Sequence, residues 1–204
     1  MKKIKMIGML ALAFTLVFGA VSCKNETEDE GPWGDSLAEV LKEEKNLSLA
    51  GTWKAVEGDI TADVDVDASD ESKLKMLMMF IGKDPEKLTE KDKIAIAISE
   101  IGMWAAEETF TKDQGKTEPK EMVDYEKYIK DTYKNGPVAG YSEGQKAYFD
   151  INIMINGDRD ELRIEFLRTM EGKLPKSGEG MPADLSGKKY EATEEGYVTW
   201  KLQK

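Results

Sequence analysis

Apolar and polar positions alternate most cleanly in the second half of the chain. Phe149, Ile151, Ile153 and Ile155 alternate with Asp150, Asn152, Met154 and Asn156, and beyond the segment NGDRDE the residues Leu162, Ile164 and Phe166 alternate again. A period of two marks strands with one buried face. Two such runs around an Asn-Gly-Asp turn predict a hairpin that pairs Ile155 with Leu162, Ile153 with Ile164 and Ile151 with Phe166. A slip of one residue would set apolar against polar faces, so the register is specified. Upstream, Leu47 to Ile60 carries Trp53, Ala55 and Val56 among polar residues. Asp63 to Asp67 puts Val64 and Val66 on one face and three carboxylates on the other. Both read as strand. Downstream, Lys173 to Gly187 reads as a long loop. Lys188 to Ala192 and Tyr197 to Gln203 predict a closing hairpin around Glu195-Gly196, with Val198, Trp200 and Leu202 on one face.

Helical spacing fills the stretches between. Asp70 to Lys83 carries Leu74, Met76, Leu77, Met78, Met79, Phe80 and Ile81, apolar nearly all round, which predicts a helix that is buried or covers a cavity. Gly82 and Pro85 end it. Thr89 with Asp92 three positions on opens a second helix bearing Ile94, Ile98, Ile101 and Ala105. Ile94, Ile96 and Ile98 also fit a strand, but the cap and the alanines favour helix. Met103 to Asp113 reads as a strand ending in a Gly115 turn. Glu118 to Lys134 reads as a helix capped by Thr117, with Met122, Tyr125, Ile129 and Tyr133 on one stripe and Asn135-Gly136-Pro137 as its stop. Near the start, Ser36 and Glu39 fit a capping box for a short helix with Leu37, Val40 and Leu41. The element order predicts a mainly β domain with helical insertions (an α+β chain built on antiparallel sheet) over 47–204.

The N-terminus has a different character. Lys2, Lys3 and Lys5 precede an uncharged run, Met6 to Val21, that is shorter than the roughly 20 apolar residues a membrane span needs. An acidic stretch follows at once, so residues 1–22 read as a removable secretory signal. Lys24 to Asp35 has five acids, two glycines, a proline and one large apolar residue, Trp33. It reads as a flexible spacer, and 23–46 as a tether ending in the short helix.

Composition narrows the chemistry. The chain has 204 residues, net charge −11, no His and one Cys. Loss of the leader removes three lysines and makes the body more acidic still, which argues against nucleic acid as a partner. Without His, Ser-His-Asp and Cys-His catalysis are excluded. A structural zinc site is disfavoured on the same ground.

Two resemblances add to this reading. The run Gly19-Ala20-Val21-Ser22-Cys23 resembles a bacterial lipoprotein signal of the looser kind found in spirochaetes and Bacteroidetes, with Ala20 where the strict motif has Leu. That implies cleavage before Cys23, palmitate-type acylation of Cys23, and a lipid-anchored protein of the cell envelope, in the outer membrane on its periplasmic or surface side. The acids after the cysteine resemble a surface-export signal. Gly51-Thr52-Trp53-Lys54 resembles the start of the calycins, the lipocalin and fatty-acid-binding barrels. This implies either a calycin-like antiparallel barrel or a half-open curved antiparallel sheet. Asp70 to Gly102 would be a helix pair over its mouth, and the Trp200 strand would close on the first. Size and lipidation also make the chain similar to accessory lipoproteins of the spirochaete dentilisin protease complex.

Candidate chemistry is sparse. Asp63, Asp65 and Asp67 begin like a calcium loop, but its sixth position is Ala68 rather than Gly and its twelfth is Leu74 rather than Glu. They read as the solvated face of a strand, and Asn156, Asp158 and Asp160 read as turn residues. No carboxylate pair stands out, so the chain reads as non-catalytic, without cofactor or metal. The Met-rich helix suggests an adaptable apolar surface. The only arginines are Arg159, Arg163 and Arg168. Arg163 shares the outward parity of Glu165, and Arg168 the inward parity of Phe166, where it could orient a ligand carboxylate or stack on Trp53. The first expectation is therefore a small apolar ligand in a calycin-like cavity touching Trp53, Met78, Phe80 and Arg168. The alternative is an interaction subunit of a surface protein complex with no cavity.

Overall fold

The hairpin forms in the register its side chains demand. In a computed structural model that describes residues 33–140, 144–176 and 182–204, β5 (Lys146–Ile155) pairs with β6 (Glu161–Lys173). Ile155 lies opposite Leu162, Ile153 opposite Ile164 and Ile151 opposite Phe166. Asn156 builds the turn: its Oδ1 accepts from the N–H groups of Asp160 at 3.0 Å and Glu161 at 2.9 Å, and Arg159 takes the positive φ. The signal, Cys23 and the tether as far as Pro32 lie outside the described residues, as does part of the loop before Pro182. Among the described residues no helix is long and apolar enough to cross a membrane.

Two strand expectations change. The segments over 47–60 and 63–67 are one strand, β2 (Gly51–Val66). A β-bulge between Ala55 and Glu57 shifts the parity. Trp53 and Ile60, of opposite parity in sequence, therefore both face inward, and Val56 is left exposed. The closing hairpin at Glu195-Gly196 is not formed. Lys189–Leu202 is one continuous strand, β7, antiparallel to both β2 and β6. Gly196 is required there for lack of a side chain, because a Cβ would sit 2.4 Å from the Asp59 carbonyl oxygen and 3.0 Å from the Phe166 ring.

The remaining strands are short: β1 (Asp35–Ser36), β3 (Glu107–Phe110) and β4 (Val138–Ala139). The strand expected over 103–113 is thus only four residues long. The sheet runs β1-β5-β6-β7-β2-β3, with β4 also on β5. The last long strand does pair with the first, Trp200 opposite Ala55. The sheet nonetheless stays open, so no barrel closes. Helices occupy the inner face in place of strands that would complete the circle.

Those helices are α1 (Leu37–Glu43), α2 (Asp70–Ile81), α3 (Glu90–Ile101) and α4 (Gln114–Tyr133). The Ser36 hydroxyl caps α1 by accepting from the Glu39 N–H. The Thr89–Asp92 capping box of α3 is complete. Gly82 and Gly102 end α2 and α3 in the left-handed conformation. α4 begins earlier than Thr117, and Gly115 lies inside it rather than in a turn. Pro119 has no N–H to give the Gly115 carbonyl, which accepts instead from the Leu49 N–H at 2.7 Å. This close approach needs glycine, since a Cβ at 115 would lie 2.2 Å from the Ala50 nitrogen.

The core has two parts on one sheet face. The larger joins α1, α3 and α4 to β2, β5, β6 and β7 around Trp53, Trp104 and Trp200. The smaller joins α2 and Leu185 to Val64, Val66, Tyr190 and Ala192. The compact body begins at Trp33, so α1 is core, with Leu37 and Val40 buried. α2 is not buried all round: Met76 and Ile81 face inward, while Met78 is 40% and Met79 74% exposed. A single sheet covers only one side of a helix.

Candidate functional site

The four residues expected around one ligand lie in three places. Trp53 is fully buried at one end of the sheet. Its indole N–H donates to the Leu49 carbonyl at 2.7 Å, and its ring stands 5.8 Å from Trp104. Trp104 in turn meets Trp200 edge-on at 5.6 Å. Phe80 belongs to the smaller core, 6.2 Å from Tyr190, and Met78 faces outward beside it on α2. Arg168 lies between the two cores.

Arg168 points inward with Phe166, as parity requires, and meets two carboxylates of the chain itself. Its Nε donates to Glu194 Oε2 at 2.9 Å and its Nη2 bonds the same oxygen. Nη2 also lies 2.6 Å from Glu100 Oε2 near the end of α3. Glu194 is directly opposite Arg168 across β6 and β7, and opposite Ala62 on β2. By register Phe166 and Ile60 flank the Arg168–Glu194 row on one side, and Met170, Ala192 and Val64 on the other. One cation therefore serves two acids in a largely apolar layer. Glu194 is 1% exposed and its Oε1 has no hydrogen-bond partner among the described residues. Burial pushes the Glu100 carboxyl up. The Arg168 guanidinium pulls it down, and the Glu194 charge adds to the rise. Chemically the trio is a closed charge cluster, one guanidinium shared by two carboxyls, and it holds the end of α3 to the sheet.

The opposite face carries a group that sequence reasoning did not find. Arg163 points outward with Glu165, as expected, and its Nε donates to Glu165 Oε1 at 2.8 Å. Yet it is only 7% exposed. Its guanidinium is held between Trp33, 4.5 Å from the ring centroid, and Tyr197, 3.5 Å away. Burial and a hydrogen bond to Glu57 push the Tyr197 phenol up to about 12. The lone tryptophan in an acidic segment was the available signal.

A cleft of about 290 Å³ opens where the end of α4 overlies β5, lined by Lys130, Tyr133, Lys134, Gly136, Tyr148, Phe149 and Asp150. β4 pairs with β5 at 146–147 and β1 at 154–155, and the cleft lies between. Tyr133 and Tyr148 meet edge-on at 5.7 Å. Lys130 is held by Glu126 at 2.5 Å and by Asn152 at 2.8 Å. Glu126 is itself buried, with its Oε2 unpartnered among the described residues. Burial, then the Asp150 carboxylate, pushes the Tyr148 phenol up.

The acidic triplets are not gathered. Asp63 and Asp65 are exposed along β2, and Asp160 is tied to Asn156 and Lys204. Among the described residues no three His, Cys, Asp or Glu side chains converge as metal ligands. No family model matches the chain, and no curated protein matches its sequence.

Proposed function

We propose that this protein is a lipid-anchored component of the cell envelope whose folded body is a non-catalytic interaction module, an accessory subunit of a surface protein complex. The anchor is Cys23, exposed by removal of residues 1–22. The observation that carries the interaction reading over a fatty-acid-type ligand is the state of Arg168. A guanidinium free beneath the helices could orient a ligand carboxylate, but this one is shared by Glu100 and Glu194. Among the described residues Arg168 then offers an acidic headgroup no unclaimed charge. The three core tryptophans instead fill the end of the sheet where a calycin cavity would lie, each with its indole N–H bonded within the chain. Large apolar side chains are exposed instead on the outside, Met78 and Met79 side by side on α2, with Val56 and Tyr128 singly elsewhere. Methionine, flexible and polarizable, suits adaptable protein contacts.

Native mass spectrometry of the protein extracted from its own host tests this reading. A stoichiometric protein partner that is lost in Met79→Glu is the expected result. A bound lipid released on unfolding, with no protein partner, would overturn it. Labelled palmitate should enter the wild type and not Cys23→Ala, and the variant should leave the membrane fraction. Label retained in that variant would remove the anchor.

A further inference from the structure

We propose that the cleft between the end of α4 and β5 is a binding site for a single acidic sugar, a pyranose bearing a carboxylate. The volume sets the size. At about 290 Å³ it stands just under the usual range of small-ligand pockets, room for one ring and not for an oligosaccharide. The walls set the chemistry. Tyr133, Tyr148 and Phe149 present aromatic surface to the C–H face of a sugar ring, and the tyrosines also carry hydroxyl groups at their tips. Asp150, whose Oδ1 accepts from the Ile151 N–H at 2.9 Å, supplies its Oδ2 as an acceptor for a ring hydroxyl.

One ammonium without an ion-pair partner among the described residues would select an acid from the sugars. The chain carries −11 overall, yet this cleft holds two lysines and one aspartate. Lys130 is already engaged by Glu126 and Asn152. Lys134 makes no ion pair among the described residues and stands at the mouth, at the C-terminal end of α4. Its ammonium is the group left to meet a ligand carboxylate. Lysines at helix C-termini also suit the helix dipole. The dipole does not account for the two edge-on tyrosines and the open space beside them.

The test uses the full-length protein in detergent and D-glucuronate as probe, with D-glucose and benzoate as comparators. For a ligand of about a dozen non-hydrogen atoms, a Kd on the order of 1 mM is expected by calorimetry or NMR titration. Glucose should bind at least tenfold more weakly, and so should benzoate. Lys134→Glu, at an exposed position that does not threaten folding, should weaken glucuronate at least tenfold. Tyr148→Phe should weaken both sugars, with its circular dichroism spectrum unchanged. Equal binding by wild type and Lys134→Glu, preference for benzoate, or no saturable binding would each overturn the assignment. None of these results depends on the anchor or on a protein partner.

Discussion

The Arg163 guanidinium is clasped between Trp33 and Tyr197, at 4.5 and 3.5 Å from their ring centroids. It joins the first described residue of the chain to the sheet face that carries no helix. β1 adds a second attachment by pairing Asp35 with Ile155 and Ser36 with Met154. Residues 33–36, where the compact body begins, are therefore gripped twice. Trp33→Ala should remove a stacked cation–π contact and half-buried ring surface, costing about 1 to 2 kcal/mol in urea unfolding. Proteolysis just ahead of α1 should quicken in the same variant. Unchanged stability and cleavage would mean the ring only rests on the sheet.

The Arg168 trio makes a stability prediction that differs between its members. Arg168→Met leaves Glu194 buried without its cation and should cost about 3 kcal/mol, the low end for a broken buried pair because Arg168 is still partly exposed. Glu100→Gln removes an acid that burial already disfavours as an anion, so it should be neutral or stabilising at neutral pH.

The pH dependence follows from the sign of the Glu100 shift. Its folded-state value is raised above the ordinary 4.5, so the folded protein binds that proton more tightly than the unfolded chain. The associated stability is full below 4.5 and is lost as pH rises through the raised value. Glu100→Gln should lack this decline in urea midpoints measured across that range. A wild-type profile parallel to the variant's would sink the coupling.

Gly196 discriminates a turn from a packed strand. Gly196→Ala should cost about 3 kcal/mol, because its methyl meets the Asp59 carbonyl and the Phe166 ring. Gly157→Ala, in the Asn156 turn with nothing within 4 Å of the added carbon, should change stability by no more than about 0.5 kcal/mol. Equal effects would argue that residues 195 and 196 turn the chain after all.

Asp184 fastens α2 from a distant loop. Its Oδ2 accepts from the Ser69 N–H at 2.9 Å and the Ser69 hydroxyl at 2.8 Å, and its Oδ1 from the Ser72 hydroxyl at 2.6 Å. These bonds hold its carboxyl down at about 2. The stabilisation is present above the ordinary carboxylate value and fades as pH falls from roughly 4 towards 2. Asp184→Ala should melt earlier at neutral pH and lose less on acidification than the wild type. Identical acid limbs in thermal melts would exclude the cap.

What the sequence by itself determined are features decided within a few residues: the Ile155–Leu162 register, the Thr89–Asp92 box, the Gly82 stop of α2, and the inward parity of Arg168. Period, cap and turn chemistry act over one turn of helix or one strand pair, so they can be read along the chain. Contacts between distant segments decided the rest. Gly196 looks like a turn because glycine bends freely, yet here it makes room for Phe166, thirty positions away. Thr117 looks like a cap, but the helix starts at Gln114, so that Gly115 lies in its first turn against Ala50 and gives its carbonyl, left free by Pro119, to the Leu49 N–H. The bulge at Val56 reverses a parity that alternation carries straight through. Arg168 kept its predicted direction, and only the arrival of Glu194 on β7 and Glu100 on α3 determined that its charge is spent inside the protein.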